Sequence, residues 1–323
     1  MVELETFEEL EAHVSALREP ADVFVAYAAA TPAKPEPCPL PRIAVQAVGH
    51  DAPRRPHDAF RLGEWTATWT AEEYAAAVEE VRAAIARGDV YQVNLVQHLS
   101  APFAGDPRAL AASLGPLHTR SFHGDGFSIV SASPELFLAR RGDRIRTMPI
   151  KGTRPAGEDV DDPKDEAEHV MIVDLERNDL SRVCDAGTVR WPELMAQHEL
   201  AGVTHLVSTV EGRLRRGAGL AEILHATFPG GSITGAPKLS AIDHIARIEP
   251  VGRGASMGAL GTIHPNGDFD LVLTIRTFAV AAGRVHLWVG GGVVWDSGPE
   301  AEVEESWVKA RPLLAAVGGP VHA

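Results

Sequence analysis

Three strand-like runs lie in the last third of the sequence, ASMGALGTI, DLVLTIRTFAV and RVHLWVGGGVV, separated only by short turns at Pro265-Asn266-Gly267 and Ala282-Gly283. Connections that short join antiparallel neighbours, because a parallel crossover needs about a dozen residues or more. Earlier runs, VYQVNLVQHL, FSIVSA, ELFLARR and DRIRTMPI, also read as strands bounded by turn residues. Helical patterns lie between these groups. Thr70 with Glu73 makes a capping box for AEEYAAAVEEVRAAIARG, whose apolar residues recur at helical spacing until Gly88 stops them. Residues 163–182, 219–227 and 237–247 read as helices, and a final helix runs from about Pro299 to Ala316. Strand groups alternating with helix groups, without strict βαβ repetition, predict an α+β fold: layered antiparallel sheets with surrounding helices.

Residues 1–64 read as a thin N-terminal portion with a short helix in FEELEAHVSAL, an apolar run DVFVAYAAA and a proline-rich connector TPAKPEPCPLP. No chemistry is identified there, so residues 65–317 are expected to form the functional domain. At 323 residues and 45% hydrophobic, the chain can bury a substantial core without staples. Its two cysteines, Cys38 and Cys184, form no CxxC pair, so neither a disulfide framework nor a zinc site is expected. No stretch approaches the roughly 18 to 20 apolar residues of a membrane span, and MVELETFEEL is acidic where a signal peptide is basic. A cytoplasmic protein with no membrane partner is therefore expected. With 44 acidic against 30 basic residues, the net charge of −14 repels polyanions, and no basic stripe offsets it, so nucleic acid is excluded as a partner.

Acidic excess leaves carboxylates free to hold a divalent cation. In KDEAEHVMIVDLERNDLSRV, Asp165 and Glu168 stand three apart and share a helix face. Glu302 and Glu305 repeat that spacing in the first turns of the last helix, with Lys309 one turn on. Two such pairs facing each other across a cleft would suit Mg²⁺, although acids near a helix start also favour the dipole and Glu305 with Lys309 makes an ordinary i, i+4 pair. FPGGSITGAPKLSAIDHI has a glycine-rich turn opening a helix, a place where free N–H groups can meet an anion. It lacks the lysine of a phosphate-binding loop, so no nucleotide is implied. Gly290-Gly291-Gly292 inside a strand pattern signals close approach of a ligand or of another backbone. Arg276, alternating within LVLTIRTFAV, would project from a sheet face towards a carboxylate. Lys151 in MPIKGTRPAG reads on its own as a solvated loop charge.

Taken together and in order, GDVYQVNL, SPELFL, PIKGTRP, EHVMIVDLERNDLSRV, HLVSTVEGRL, FPGGSITGAPK, LTIRT, GGGVVWDS and EAEVEESWVKAR resemble the chorismate-utilising enzymes. These segments cover residues 65 to 316 almost continuously. The resemblance implies a fold of antiparallel sheets layered on each other, and chorismate, a cyclohexadiene dicarboxylate, as substrate. It implies Mg²⁺ as cofactor, contacted directly by Glu168 and Glu305 and supported by Asp165 and Glu302, the ion gripping the ring carboxylate. The other carboxylate would meet Arg276 and the backbone around Gly290 and Gly292, in a pocket also lined by Lys309, His205 and Thr234, with Gly152 and Thr153 beside Lys151.

Members differ in what attacks the ring. Water-using members carry a lysine base where this chain has Gln92, which cannot take a proton from water near neutral pH. Isochorismate and salicylate formation are thereby disfavoured. The PIKGT form resembles the aminodeoxychorismate synthases, in which the lysine, here Lys151, adds to ring carbon 2 as the 4-hydroxyl leaves, and ammonia then attacks carbon 4. Two allylic displacements replace one difficult exchange. Glu135 of SPELFL is implied as the general acid, which requires a carboxyl whose proton is held by its surroundings.

An anthranilate synthase that tolerates lysine at 151 stays open as an alternative, as does a silent chorismate-binding or docking protein. Ser256-Met257 and Thr262 stand where aromatics are frequent in the family, so an altered substrate fit is expected, and Ser181 replaces a frequent glycine. No tryptophan-binding segment and no glutaminase half is recognised in the sequence. Tryptophan feedback is therefore not expected, and ammonia is expected from a separate glutamine amidotransferase.

Overall fold

A computed structural model of the chain describes residues 1–31, 34–48, 60–155, 163–200 and 203–318, with the side chains of 153–155, 163–165, 200 and 203 outside the described set. The path opens with β1 (Val2–Leu4), α1 (Phe7–Ser15), β2 (Ala21–Val25) and β3 (Ile43–Ala47). Short strands β4 (Arg61–Leu62) and β5 (Thr66–Ala67) lead to α2 (Ala71–Arg87). This helix is bounded as the sequence predicts: both capping-box hydrogen bonds of Thr70 and Glu73 form, and Gly88 ends it in the left-handed region at φ 81°. Next come β6 (Gln92–Ala104), α3 (Pro107–Leu114), β7 (Arg120–His123), β8 (Phe127–Ser131), β9 (Leu136–Arg141), β10 (Arg144–Met148) and β11 (Ile150–Pro155).

The middle of the chain supplies α4 (Pro163–Ser181), β12 (Arg190–Leu200), β13 (Val203–Arg213), α5 (Leu220–Thr227), β14 (Gly235–Ala236) and α6 (Lys238–Ile248). It closes with β15 (Ala259–Ile263), β16 (Phe269–Leu273), β17 (Thr277–Ala281), β18 (Arg284–Val293) and α7 (Pro299–Ala316). Both expected turns are present. Ile263 pairs with Phe269 across the first, and Ala281 pairs with Arg284 across Ala282 and Gly283, which both take positive φ.

Among the described residues the strands form two sheets. The larger has ten strands in the order β1-β3-β2-β15-β16-β9-β10-β13-β11, with β12 also on β13. The smaller has eight in the order β14-β6-β18-β17-β8-β7, with β4 and β5 on β6. Every described strand pair is antiparallel. The N-terminal strands extend the larger sheet, because β2 pairs along its whole length with β15. The sheets pack face to face: Phe24 of β2 meets Phe122 and Phe127 of the smaller sheet, each with ring centroids 6.4 Å away. α4 packs on β11 and β13, while α7 lies over β18 and against α2.

Two expectations are corrected. DLVLTIRTFAV is not one strand: β16 belongs to the larger sheet and β17 to the smaller, and residues 274–276 carry the chain between them. Arg276 sits in that crossing at φ 50°, so it does not project from a regular sheet face. Leu273-Thr274-Ile275-Arg276 alternates apolar and polar through the crossing, which hides it from a reading of periodicity. Lys151 is not in a loop. It lies on β11 and pairs with Leu206 of β13, after Pro149 interrupts the expected continuation of β10. Cys38 and Cys184 are both buried free thiols, pushed up to about 12 and 11 by burial.

Candidate active site

Where the chain crosses between the sheets a cavity of about 150 Å³ opens. The larger sheet gives it Lys151 and Gly152, the crossing gives Arg276, the smaller sheet gives Asn94 and the stretch from Trp288 to Gly292, and α7 gives Lys309. Glu135, at the turn before β9, completes one wall with Ser232.

Lys151 reaches the cavity because β11 bulges there. Its register on β13 shifts between Lys151 and Arg154, and Gly152 takes φ 60°, a conformation glycine adopts without strain. The lysine side chain is 16% exposed, and Nζ lies 4.0 Å from Glu168 Oε2. The Gly152 carbonyl accepts a hydrogen bond from His205 Nδ1 at 3.0 Å. Burial pulls the His205 pKa down, so this ring is a neutral prop behind the bulge with its proton on Nδ1.

Glu135 is 5% exposed and accepts the Ser232 hydroxyl at 2.6 Å. Burial pushes its carboxyl up to about 6, against the Ser232 hydrogen bond and the positive charges of Lys151 and Arg276. Such a group holds a proton at the edge of neutrality. Arg276 faces the same wall; burial lowers its pKa and Glu135 opposes that shift. Among the described residues its guanidinium makes no hydrogen bond to another side chain, so its fork is available to a carboxylate.

The three glycines do different jobs. A Cβ on Gly290 would lie 1.8 Å from Leu95 O, and one on Gly292 2.0 Å from Gln92 Nε2. Close packing against β6 therefore explains these two. A Cβ on Gly291 would instead face Glu305, Lys309 and Glu302 at 3.1 to 3.4 Å. Lys309 donates to Gly290 O at 2.9 Å and to Glu305 at 2.7 Å, the ordinary i, i+4 pair.

Carboxylates thus reach the cavity region from two helices: Glu168 from α4, and Glu302 and Glu305 from α7. Oxygen donors of this kind suit magnesium, and Lys151 and Lys309 are the cations standing against them. Among the described residues no three His, Cys, Asp or Glu side chains stand close enough together to hold a metal ion by themselves. The side chains of Asp165 and Thr153 lie outside the described set.

Several expected residues stand behind the wall. Thr234 is fully buried and donates its hydroxyl to Gly230 O at 2.9 Å, so that hydroxyl is not offered to the cavity. Gln92 is also fully buried, with neither amide atom hydrogen-bonded. Thr262 lies away from the cavity, donating to Asp22 and accepting from Arg120. Of the Ser256-Met257 pair, Met257 lines the cavity at φ 62° and Ser256 is buried with an unpartnered hydroxyl. The glycine-rich turn does meet an acceptor, but one from within: the buried carboxyl oxygen Glu176 Oε1 accepts the N–H groups of Gly231 and Ser232 at 2.9 and 3.3 Å.

The sequence reading missed Ser232, Asn94 and Glu176. Asn94 lines the cavity with a buried, unpartnered amide nitrogen. Its signal was its place two residues after Gln92 on one strand face. For Glu176 the signal was a third i, i+3 acidic pair, with Asp179, further along the same helix.

Comparison with known proteins places this architecture. The family model described as chorismate binding enzyme matches residues 13–315. Anthranilate synthase component 1 of Streptomyces coelicolor is 41% identical over 78% of this chain and 53% of its own length. Aminodeoxychorismate synthase component 1 of Klebsiella aerogenes is 40% identical over 77% of this chain and 59% of its own. The chain therefore spans little more than half the length of these curated relatives. Among solved structures, anthranilate synthase component I from Streptococcus pneumoniae superposes with a TM-score of 0.82 at 24% identity, covering 97% of this chain and 86% of that one.

Proposed function

This chain belongs to the chorismate-binding enzymes, and from that premise we propose that it aminates chorismate at ring carbon 4, giving 4-amino-4-deoxychorismate, the precursor of 4-aminobenzoate. The observation that carries this reading is Lys151, a lysine brought by a bulged strand into a cavity wall within the field of a proton-holding carboxyl, Glu135. Nζ adds to ring carbon 2 while the bond from carbon 4 to its hydroxyl breaks, and Glu135 gives the departing oxygen its proton. Ammonia then attacks carbon 4, the bond from carbon 2 to Nζ breaks to restore the neutral lysine, and the new ammonium returns a proton to the Glu135 carboxylate.

Arg276 and the backbone around Gly290 and Gly292 take one substrate carboxylate. A bound magnesium ion would supply positive charge against the other, and Glu168, Glu302 and Glu305, with Asp165, are the residues to hold it. Gln92 has no basicity with which to activate water, which keeps the ring for the nitrogen nucleophile. The curated relatives named above are each called component 1, and a separate glutamine amidotransferase is the source of ammonia in this reading.

Intact-mass measurement tests it. Protein incubated with Mg²⁺ and chorismate, without ammonia, should gain a covalent adduct on Lys151. Lys151→Ala should lose the adduct and slow amination at carbon 4 by about 100-fold or more. A variant that aminates at the wild-type rate overturns the covalent route. Release of one pyruvate per turnover with ammonium would identify the product as anthranilate instead.

A further inference from the structure

Behind the cavity wall, α4 carries a buried acidic pair that the reaction as written does not use. Glu176 is 3% exposed and Asp179 is 2% exposed, one turn apart on the face turned towards residues 227–238. Asp179 pairs with Lys238, whose Nζ also donates to Thr227 O at 3.1 Å and Pro229 O at 2.8 Å. Glu176 accepts the N–H groups of Gly231 and Ser232. The segment is thereby fastened to α4 at both ends of the glycine-rich turn. A Cβ at Gly231 would lie 2.7 Å from the Leu175 side chain and 3.1 Å from Glu176 Oε1, so a larger residue would have to displace Leu175 and crowd the carboxyl.

The last residue that Glu176 holds is the one whose hydroxyl touches the acid. Ser232 Oγ lies 2.6 Å from Glu135 Oε1, and its own backbone N–H is fixed by Glu176. We propose that Glu176 is a positioning residue for the reaction: by holding the Gly231 and Ser232 amides it sets the Ser232 hydroxyl on Glu135, and so fixes how that carboxyl presents its proton.

The surroundings support this role. Burial and the charges of Asp179 and Glu135 push the Glu176 pKa well above that of a free carboxyl, with Lys238 pulling against them. Burial thus favours the uncharged form of Glu176, and towards the Gly231 and Ser232 amides it serves as a hydrogen-bond acceptor, which a glutamine reproduces. Around Glu135, Ser232, Lys151, Arg276 and the Ile150 backbone N–H all favour its ionised form, while Glu176 stands near enough to feel its charge. Losing the Ser232 donor must therefore raise the Glu135 pKa.

This inference rests on Glu135 acting as the acid, and its test has two readouts. The first is steady-state kinetics on chorismate with ammonium. Glu176→Leu and Ser232→Ala should each lower kcat roughly 10- to 100-fold, the range for losing a hydrogen bond to a charged group, with KM for chorismate within about twofold. The double variant should be no worse than Ser232→Ala by more than about threefold, because both changes remove one device. Glu176→Gln should keep kcat within about threefold of wild type. If Glu176→Leu does not fold, Glu176→Asp, which withdraws the acceptor by one methylene, carries the same expectation.

The second readout is the carbon-13 NMR titration of the Glu135 carboxyl without substrate, which should move to higher pH in Glu176→Leu and Ser232→Ala and stay in place in Glu176→Gln. Wild-type kcat and titration in Glu176→Leu, multiplicative losses in the double variant, or a Glu176→Gln enzyme as slow as Glu176→Leu would each overturn the inference. A wild-type protein that does not aminate chorismate defeats the proposed function, while the titration still decides this inference.

Discussion

Glu135 and Glu176 are both buried carboxyls, yet their surroundings give them different work. Glu135 has a hydroxyl donor and two cations pulling against desolvation and comes to about 6, whereas Glu176 is pushed up by burial and further by the charges of Asp179 and Glu135. Pairs driven apart in this way separate the group that exchanges a proton from the group that stays neutral. The sign for activity follows. Burial raises the Glu135 pKa above that of a free carboxyl, so the acid form is present below about 6 and lost as pH rises through that value. At fixed free ammonia, kcat/KM for chorismate should therefore fall on the alkaline side of about 6, by about tenfold per unit. The matching limb of kcat should lie at higher pH, because a bound dicarboxylate opposes ionisation of Glu135. Glu135→Gln should lose that limb and slow the reaction by at least about 100-fold. A pH profile with the same limb in Glu135→Gln would remove Glu135 from the role of acid.

At the scale of elements, most of the architecture was legible and the breaks were not. α2 and α7 begin where a capping box and a proline mark them, and the two turn signals near the C-terminus give two antiparallel pairings. The passage from β16 to β17 was hidden because Leu273-Thr274-Ile275-Arg276 alternates like a strand while the backbone changes sheets. The bulge after Lys151 was hidden because one glycine can mark a turn or a shift of register. Lys151, Glu135, Arg276 and the glycines from 290 to 292 were legible as candidates for the cavity wall. Ser232 and Glu176 were not, since their importance depends on a contact between α4 and a turn more than fifty residues away. The glycines of β18 give the test at this scale. Gly290→Ala places a methyl against Leu95 O and should cost on the order of 3 kcal/mol in denaturant unfolding. Gly291→Ala meets only the ends of Glu305, Lys309 and Glu302 and should stay within about 1 kcal/mol of wild type. Equal losses in the two variants would mean that β18 and β6 do not cross as closely as the register implies.

Across the whole molecule, the cavity is built by both sheets and by the segment that links them. Lys151 comes from the edge strand of the larger sheet, Gly290 and Gly292 from the interior of the smaller one, and Arg276 from the crossing. No single layer owns the site. A dicarboxylate held by Arg276 on one side and the glycine backbone on another therefore binds only when the sheets are packed, and contributes nothing to the unfolded chain. Mass action then couples occupancy to global stability: at a hundred times Kd a ligand of this kind should add about 2.7 kcal/mol to unfolding. Chorismate should accordingly raise Tm in a concentration-dependent way, with Mg²⁺ increasing the shift. Arg276→Ala should remove most of it while leaving the ligand-free Tm near wild type, because this guanidinium makes no side-chain hydrogen bond among the described residues whose loss would weaken the fold. If Arg276→Ala keeps the full chorismate shift, the substrate carboxylate lies elsewhere in the cavity, and the crossing serves only to connect the sheets.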